Sequence, residues 1–165
     1  MTNPSPLTLG LIGASSCGEK ERRAAYETGR EIASAGALLI CGGGGGVMLA
    51  GCEGAKSAGG TTIGILSGKT PGSAAPNPHV DIPIYTDMGQ ARNVILVLSS
   101  AAVIAIGGEW GTLSEIALAR KHGIPVVLLD SWELKSPSAL LLANLPSASN
   151  AKSAVRTALE LAGRP

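Results

Sequence analysis

Three glycine-rich segments carry the chemistry available to this sequence. They are residues 13–18, 42–46 and 107–111, and each follows a short apolar run and precedes a helix-like stretch. Glycine lacks a Cβ, so its backbone N–H can approach an anion closely. A helix N-terminus adds unpaired donors and the positive end of the helix dipole. A phosphorylated ligand is the expected guest. Gly13, Ser15, Ser16, Gly42, Gly43, Gly44, Gly45, Gly46, Gly107, Gly108, Gly111 and Thr112 are the residues expected to bind it. Glycines that merely permit tight turns are the competing reading at each loop taken alone. Two such clusters together with Ser15 and Ser16 favour the ligand.

Charged and aromatic residues near these loops add roles of their own. Arg92 lies at the edge of an apolar stripe made by Met88, Ala91, Ile95 and Leu98. It can clamp a phosphate bidentately or sit on the surface. Glu115 ends a Thr112-Leu113-Ser114-Glu115 capping box, yet a carboxylate there also stands at the mouth of the crevice. Glu109 and Trp110 interrupt the third glycine cluster. An indole there can stack on a planar heterocycle or pack in a subunit contact. His79 and His122 have no partners at metal-ligand spacing, so no metal site is expected. Cys17 falls at a helix start, where its thiol pKa is expected to be lowered. Residues 64–70 resemble a phosphate-binding Walker loop. Ile63 stands where that motif needs glycine, and Pro71 opposes the helix that must follow, so ATP hydrolysis is excluded.

The elements that would position these residues alternate along the chain. Strands are expected over 7–12, 37–41, 61–66, 82–86, 101–106 and 125–129. Helices are expected over 19–35, 47–58, 87–99, 112–122 and 150–162, with a short turn over 140–145. Ser16 and Glu19 have capping-box spacing, and Asp87 with Gln90 has it again. The strand runs are continuously apolar, as in a parallel sheet covered on both faces. The fold class is therefore α/β: a Rossmann-like, doubly wound, mainly parallel sheet flanked by helices. One domain is expected over 1–165, with its core over 7–130 and a helical tail over 131–165.

Composition narrows the function classes. The chain has 165 residues with a formal net charge of +1, two Trp, two Tyr and no Phe. A nucleic-acid binder would carry a basic excess and stacking aromatics, so none is expected. Three Cys without Cys-x-x-Cys spacing fit reduced thiols. No run approaches a membrane span, and the first six residues lack the pattern of a signal peptide, so a cytoplasmic protein is expected. Residues 94–98 are consecutively apolar. A helix apolar on every side suggests a subunit interface, hence at least a dimer.

Residues 41–48, then Asp87 through Arg92-Asn93, then residues 107–115 (Gly-Gly-Glu-Trp-Gly-Thr-Leu-Ser-Glu) resemble the Rossmann-like superfamily that includes the LOG family. LOG proteins are cytokinin-activating phosphoribohydrolases with a Pro-Gly-Gly-x-Gly-Thr-x-x-Glu motif and an Arg-Lys pair. Arg92 and Glu115 match that family's catalytic residues. Asn93, Gly107 and Glu109 depart from its Lys, Pro and second Gly. Together with Trp110 and the short length, the departures look more like the branch of molybdenum cofactor carrier proteins. That resemblance implies a non-enzymatic carrier, typically a tetramer, that binds and protects the phosphorylated pterin cofactor (molybdopterin) and hands it to molybdoenzymes. Under it, the two later glycine loops hold the phosphate, Arg92 adds charge, and the planar pterin gives Trp110 a partner. The alternative it implies is a cytokinin riboside 5′-monophosphate phosphoribohydrolase, with Arg92 and Glu115 catalytic.

Overall fold

The computed structural model describes residues 6–134 and 145–163. Seven strands form one sheet: β1 (Thr8–Gly13), β2 (Leu38–Cys41), β3 (Thr62–Leu66), β4 (Ile82–Tyr85), β5 (Ala102–Ile106), β6 (Val126–Leu129) and β7 (Ser147–Ala148). Their order is β4-β3-β2-β1-β5-β6-β7, and every pairing is parallel. The chain therefore winds outward from β1 to β4, then returns to lay β5 against the other side of β1. Among the described residues, five α-helices make crossovers or cover the faces: α1 (Glu19–Ser34), α2 (Gly46–Ser57), α3 (Asn93–Leu98), α4 (Trp110–Lys121) and α5 (Ala151–Leu161). The expected doubly wound α/β architecture is present.

The inner strands β1, β2, β3, β5 and β6 are buried on both faces, which is why they read as apolar runs, whereas the edge strand β4 is largely exposed. Along β5, Ala102, Ile104 and Ile106 face one side with Leu9 and Leu11 of β1. That side is packed by α1, α2 and α5 through Ala25, Ile32, Val47, Ala50, Ala154, Val155 and Ala158. Val103 and Ala105 face the other side with Ile12, and α3 and α4 cover them through Leu96, Val97, Ile116 and Ala119. Burying each large aliphatic side chain contributes roughly 2 kcal/mol.

Small residues let two helices touch. A Cβ on Gly29 of α1 would overlap the Gly51 carbonyl of α2, and one on Gly54 would overlap the Tyr26 carbonyl. The Gly51 position also presses on Leu11 below it. These contacts set α2, and the loop that precedes it, close against the carboxyl end of β1.

Several local expectations are corrected. The first helix is not capped by Ser16. Its N-cap is Gly18, whose amide donates to the Glu21 carboxylate at 2.9 Å. Asp87 does not cap a helix over 87–99. Asp87 and Gly89 both take positive φ, and a 3-10 turn (Gly89–Arg92) precedes a short α3. The helix expected from Thr112 begins two residues earlier at Trp110, so no capping box joins Thr112 to Glu115. The tail supplies a strand as well as a helix, because β7 pairs with β6. Asn150 caps α5, its Oδ1 accepting from the Ser153 amide at 2.9 Å. Of the turn expected over 140–145, all but Leu145 lies outside the described residues.

Candidate ligand-binding crevice

In a doubly wound sheet, a crevice opens where neighbouring strands send their connections to opposite faces. Here that point is between β1 and β5. The loop after β1 leads to α1 on one face, and the loop after β5 leads to α4 on the other. A cavity of about 460 Å³ lies there. Its lining includes Gly13 at the end of β1 and Ser15 after it, Gly42 after β2, Gln90, Arg92 and Asn93 from the returning connection, and residues 109–112 with Glu115 at the start of α4. Its size suits a small organic ligand.

Arg92 is central to this crevice. Its guanidinium lies against Gly42, where a Cβ would fall within 2.9 Å of Nη1, Nη2 and Cζ. Glycine at 42 is therefore a requirement of the arginine's position. The side chain is only 12% exposed, and its Nε and Nη1 make no hydrogen bond. Nη1 stands 3.8 Å from Glu115 Oε1, close enough for attraction but too far for a hydrogen bond. Asn93 Oδ1, also buried, is likewise without a partner. Buried polar groups are normally satisfied. Three unsatisfied polar atoms thus belong to two residues lining one cavity.

The Glu115 side chain is 9% exposed. Burial raises its pKa from the ordinary carboxylate value to about 7, and the Arg92 charge opposes that rise only partly. The α4 N-terminus meets the cavity at Trp110, Gly111 and Thr112, whose amides belong to the first turn and have no intrahelical acceptor. Trp110 is 78% exposed at the rim. Its ring centroid is 5.6 Å from that of Trp132, tilted by 39°. Beneath the site, Cys41 and Cys52 are buried free thiols with sulfurs 3.5 Å apart. The hydrogen bond to Cys52 and burial push the Cys41 thiol well up, so it stays neutral under the arginine.

The structure divides the expected binding residues. Gly13, Ser15, Gly42, Arg92, Glu109, Trp110, Gly111 and Thr112 line the cavity, with Glu115. Ser16, Gly43, Gly44, Gly45, Gly46, Gly107 and Gly108 lie outside its lining. Gly43 and Gly44 are held by Asn77, whose Nδ2 donates to both carbonyls at 3.3 and 3.0 Å. Gly45 and Gly46 pack under the Ala14 and Ser15 carbonyls, Gly107 against Glu21, and Gly108 against Thr112 and Trp132. These glycines shape the loops that carry the lining residues. Gln90, Asn93, Ser114 and Met48 also line the cavity, although none of them was expected to bind the ligand. Gln90 and Ser114 read as parts of capping boxes, Asn93 as a departure from the family's lysine, and Met48 as the end of the second glycine motif. Cys17 is also corrected: burial and the Glu21 carboxylate raise its pKa. Among the described residues, no three His, Cys, Asp or Glu side chains cluster as a metal site would require.

A parallel doubly wound sheet with a small-molecule crevice at its switch point defines a Rossmann-like ligand-binding protein. The chain belongs to the SLOG cluster4 family, whose model matches residues 6–159. It is similar to the molybdenum cofactor binding protein of the phototrophic bacterium Rippkaea orientalis, with a TM-score of 0.88 and 37% identity over 96% of this chain and 99% of that one. It is also similar to the molybdenum cofactor carrier protein of Chlamydomonas reinhardtii, with a TM-score of 0.84 and 35% identity over 96% of this chain and 99% of that one. An uncharacterized protein of Archaeoglobus fulgidus is 50% identical over 123 residues, 74% of this chain and 80% of that protein.

Proposed function

We propose that this chain carries the molybdenum cofactor, holding the phosphorylated pterin in the switch-point crevice, shielding it and passing it to molybdoenzymes. The observation that carries the reading is the group of unsatisfied buried atoms, Arg92 Nε, Arg92 Nη1 and Asn93 Oδ1, lining a cavity in a chain so similar to two cofactor-binding proteins.

The residues present fit such a guest. Arg92 offers two free N–H donors to the phosphate, and the first amides of α4 add neutral donors. Gly13, Ser15 and Gly42 let that group come near the backbone. Exposed at the rim, Trp110 presents an indole face on which the planar pterin stacks. Glu109 occupies the N-cap position of α4 beside it, with no side-chain cap hydrogen bond. The outer glycines, 43 to 46 with 107 and 108, hold these elements in place. Carriage needs no bond to break. The phosphoribohydrolase alternative is not favoured, since the two proteins of similar structure are described as a cofactor-binding protein and a cofactor carrier.

The carrier works as a dimer-based homo-oligomer, a tetramer in the form the resemblance implies. Support comes from exposed Ile82 and Ile84 on the edge strand β4, Met88 before the 3-10 turn and Leu98 at the end of α3. Light scattering on the purified protein tests this, and a monomer at micromolar concentration refutes it. No helix among the described residues is long and apolar enough to cross a membrane, which is consistent with work in the cytoplasm.

The carrier reading is tested by purifying the protein from cells that make the cofactor. Retained cofactor is converted to its fluorescent oxidation product and quantified, and its transfer to apo nitrate reductase is measured. Cofactor retained by the wild type and lost from Arg92→Ala supports the proposal. No retained and no protected cofactor overturns it.

A further inference from the structure

The two charged groups at the bottom of the crevice face each other without bonding. Arg92 Nη1 and Glu115 Oε1 are 3.8 Å apart, and both side chains are about nine-tenths buried. Neither has the arrangement of a structural ion pair. A structural pair would be bidentate or saturated by other hydrogen bonds, because the loss of hydration is otherwise uncompensated. Here Nε and Nη1 remain free, and both residues line the same cavity. An anion entering that cavity finds the cation already faced by a carboxyl group, so the charge of that carboxyl decides how much attraction remains.

We infer that Glu115 is a proton-operated switch on the anion affinity of Arg92: neutral, it leaves the guanidinium free to hold an anionic ligand, and ionised, it competes for the guanidinium and repels the ligand. The inference rests on the carrier reading only for the identity of the natural anion. Binding then protonates whatever fraction of Glu115 was ionised, and loss of that proton favours release.

The surroundings suit the role. The groups facing Glu115 are few. Arg92 comes from the 3-10 turn and Asn93 from α3, while the residues lining the cavity from β1, the loop after it and α2 carry no charge. Glu109, at the N-cap of α4, is exposed at the rim. The Cys41 thiol beneath Arg92 stays neutral. Burial holds the Glu115 carboxyl near neutrality in its titration, so modest changes in pH or in the shielding of the crevice change its charge.

The test uses sulfate, whose charge is constant over the range, as the probe. Its affinity for the full chain is measured by chemical-shift titration between about pH 6 and about pH 8, where a carboxyl of pKa near 7 changes charge. The expected result is a wild-type affinity that falls about tenfold as pH rises. Glu115→Gln should bind at every pH as the wild type does at low pH, and Arg92→Ala should not bind. A flat wild-type profile overturns the inference, as does a pH dependence that survives in Glu115→Gln. Binding that survives in Arg92→Ala identifies an adventitious ion only, and overturns it equally. Cofactor retention, measured in parallel, separates the two proposals. Retention with a flat sulfate profile sinks the switch and leaves the carrier. The expected sulfate profile without retention supports the switch and sinks the carrier.

Discussion

At the crossing of α1 and α2, Gly29 and Gly54 meet backbone: the Gly51 and Tyr26 carbonyls lie where their Cβ atoms would be. At the crevice, Gly42 meets the end of an arginine side chain. Both sites exclude a methyl group, yet they differ in what can yield. A main chain inside two packed helices cannot move without moving the helices. A guanidinium can swing away, but it then leaves its place in the site. The first region turns glycine into stability, and the second turns it into position.

The largest expected effect comes from forcing the first region. Gly29→Val should destabilise the fold by about 3 kcal/mol or more, because the added carbons strike backbone. Urea denaturation measures this. A near-wild-type midpoint would show that the crossing is looser than described.

Next in size is the pH dependence of stability contributed by the crevice. Glu115 titrates at about 7 when folded, above its unfolded value of 4.5. The folded state therefore holds the proton more tightly between these values. Its contribution is fully present below about pH 4.5 and is lost as pH rises through about 7. The raised pKa corresponds to a loss of roughly 3 kcal/mol at most. Denaturation from acid to neutral pH should show the wild type losing stability relative to Glu115→Gln. Parallel curves for the two proteins would remove Glu115 from the account.

Gly42→Ala sharpens the contrast with Gly29→Val. The fold should lose only about 1 kcal/mol, because a flexible side-chain end gives way. Retained cofactor should nevertheless fall about tenfold as Arg92 is displaced. If instead stability collapses while retention per folded molecule persists, the two glycines act alike.

The smallest stability effect is expected at Trp110. Its exposure makes Trp110→Ala neutral within about 0.5 kcal/mol in denaturation. Cofactor retention should weaken by roughly tenfold through lost stacking. Unchanged retention would assign the indole to another role.

The same contrast explains which parts of the molecule were readable from sequence. Strands β1 to β6 are apolar runs separated by glycine punctuation, and that signal survives without context. Strand β7 is only Ser147 and Ala148 beside β6, too short and too polar to carry a pattern. The break between the 3-10 turn and α3 was hidden because Asp87 and Gln90 have capping-box spacing, whereas the backbone at Asp87 and Gly89 turns left-handed. Helix α4 starts before Gly111 because a helix tolerates glycine in its first turn, although that glycine read as loop. Arg92, Glu115 and Trp110 stood out as rare types among small residues. Asn93 and Gln90 did not read as ligand contacts, since Gln90 had the spacing of a cap and an amide next to an arginine carries no charge to mark a site. Asn77, which holds the second glycine loop, acts across more than thirty residues of sequence and is invisible in any local window.

One feature of the rim gives the molecule an optical property. The chain has two tryptophans, and they sit as a tilted pair with centroids 5.6 Å apart beside the crevice. Tryptophan emission from this protein therefore originates entirely at one place. A chromophore arriving over Trp110 quenches it directly, and any reorientation of the pair alters the exciton signal in near-ultraviolet circular dichroism. Occupancy of the crevice can thus be followed in real time, with no label, against a background to which the rest of the fold contributes no indole.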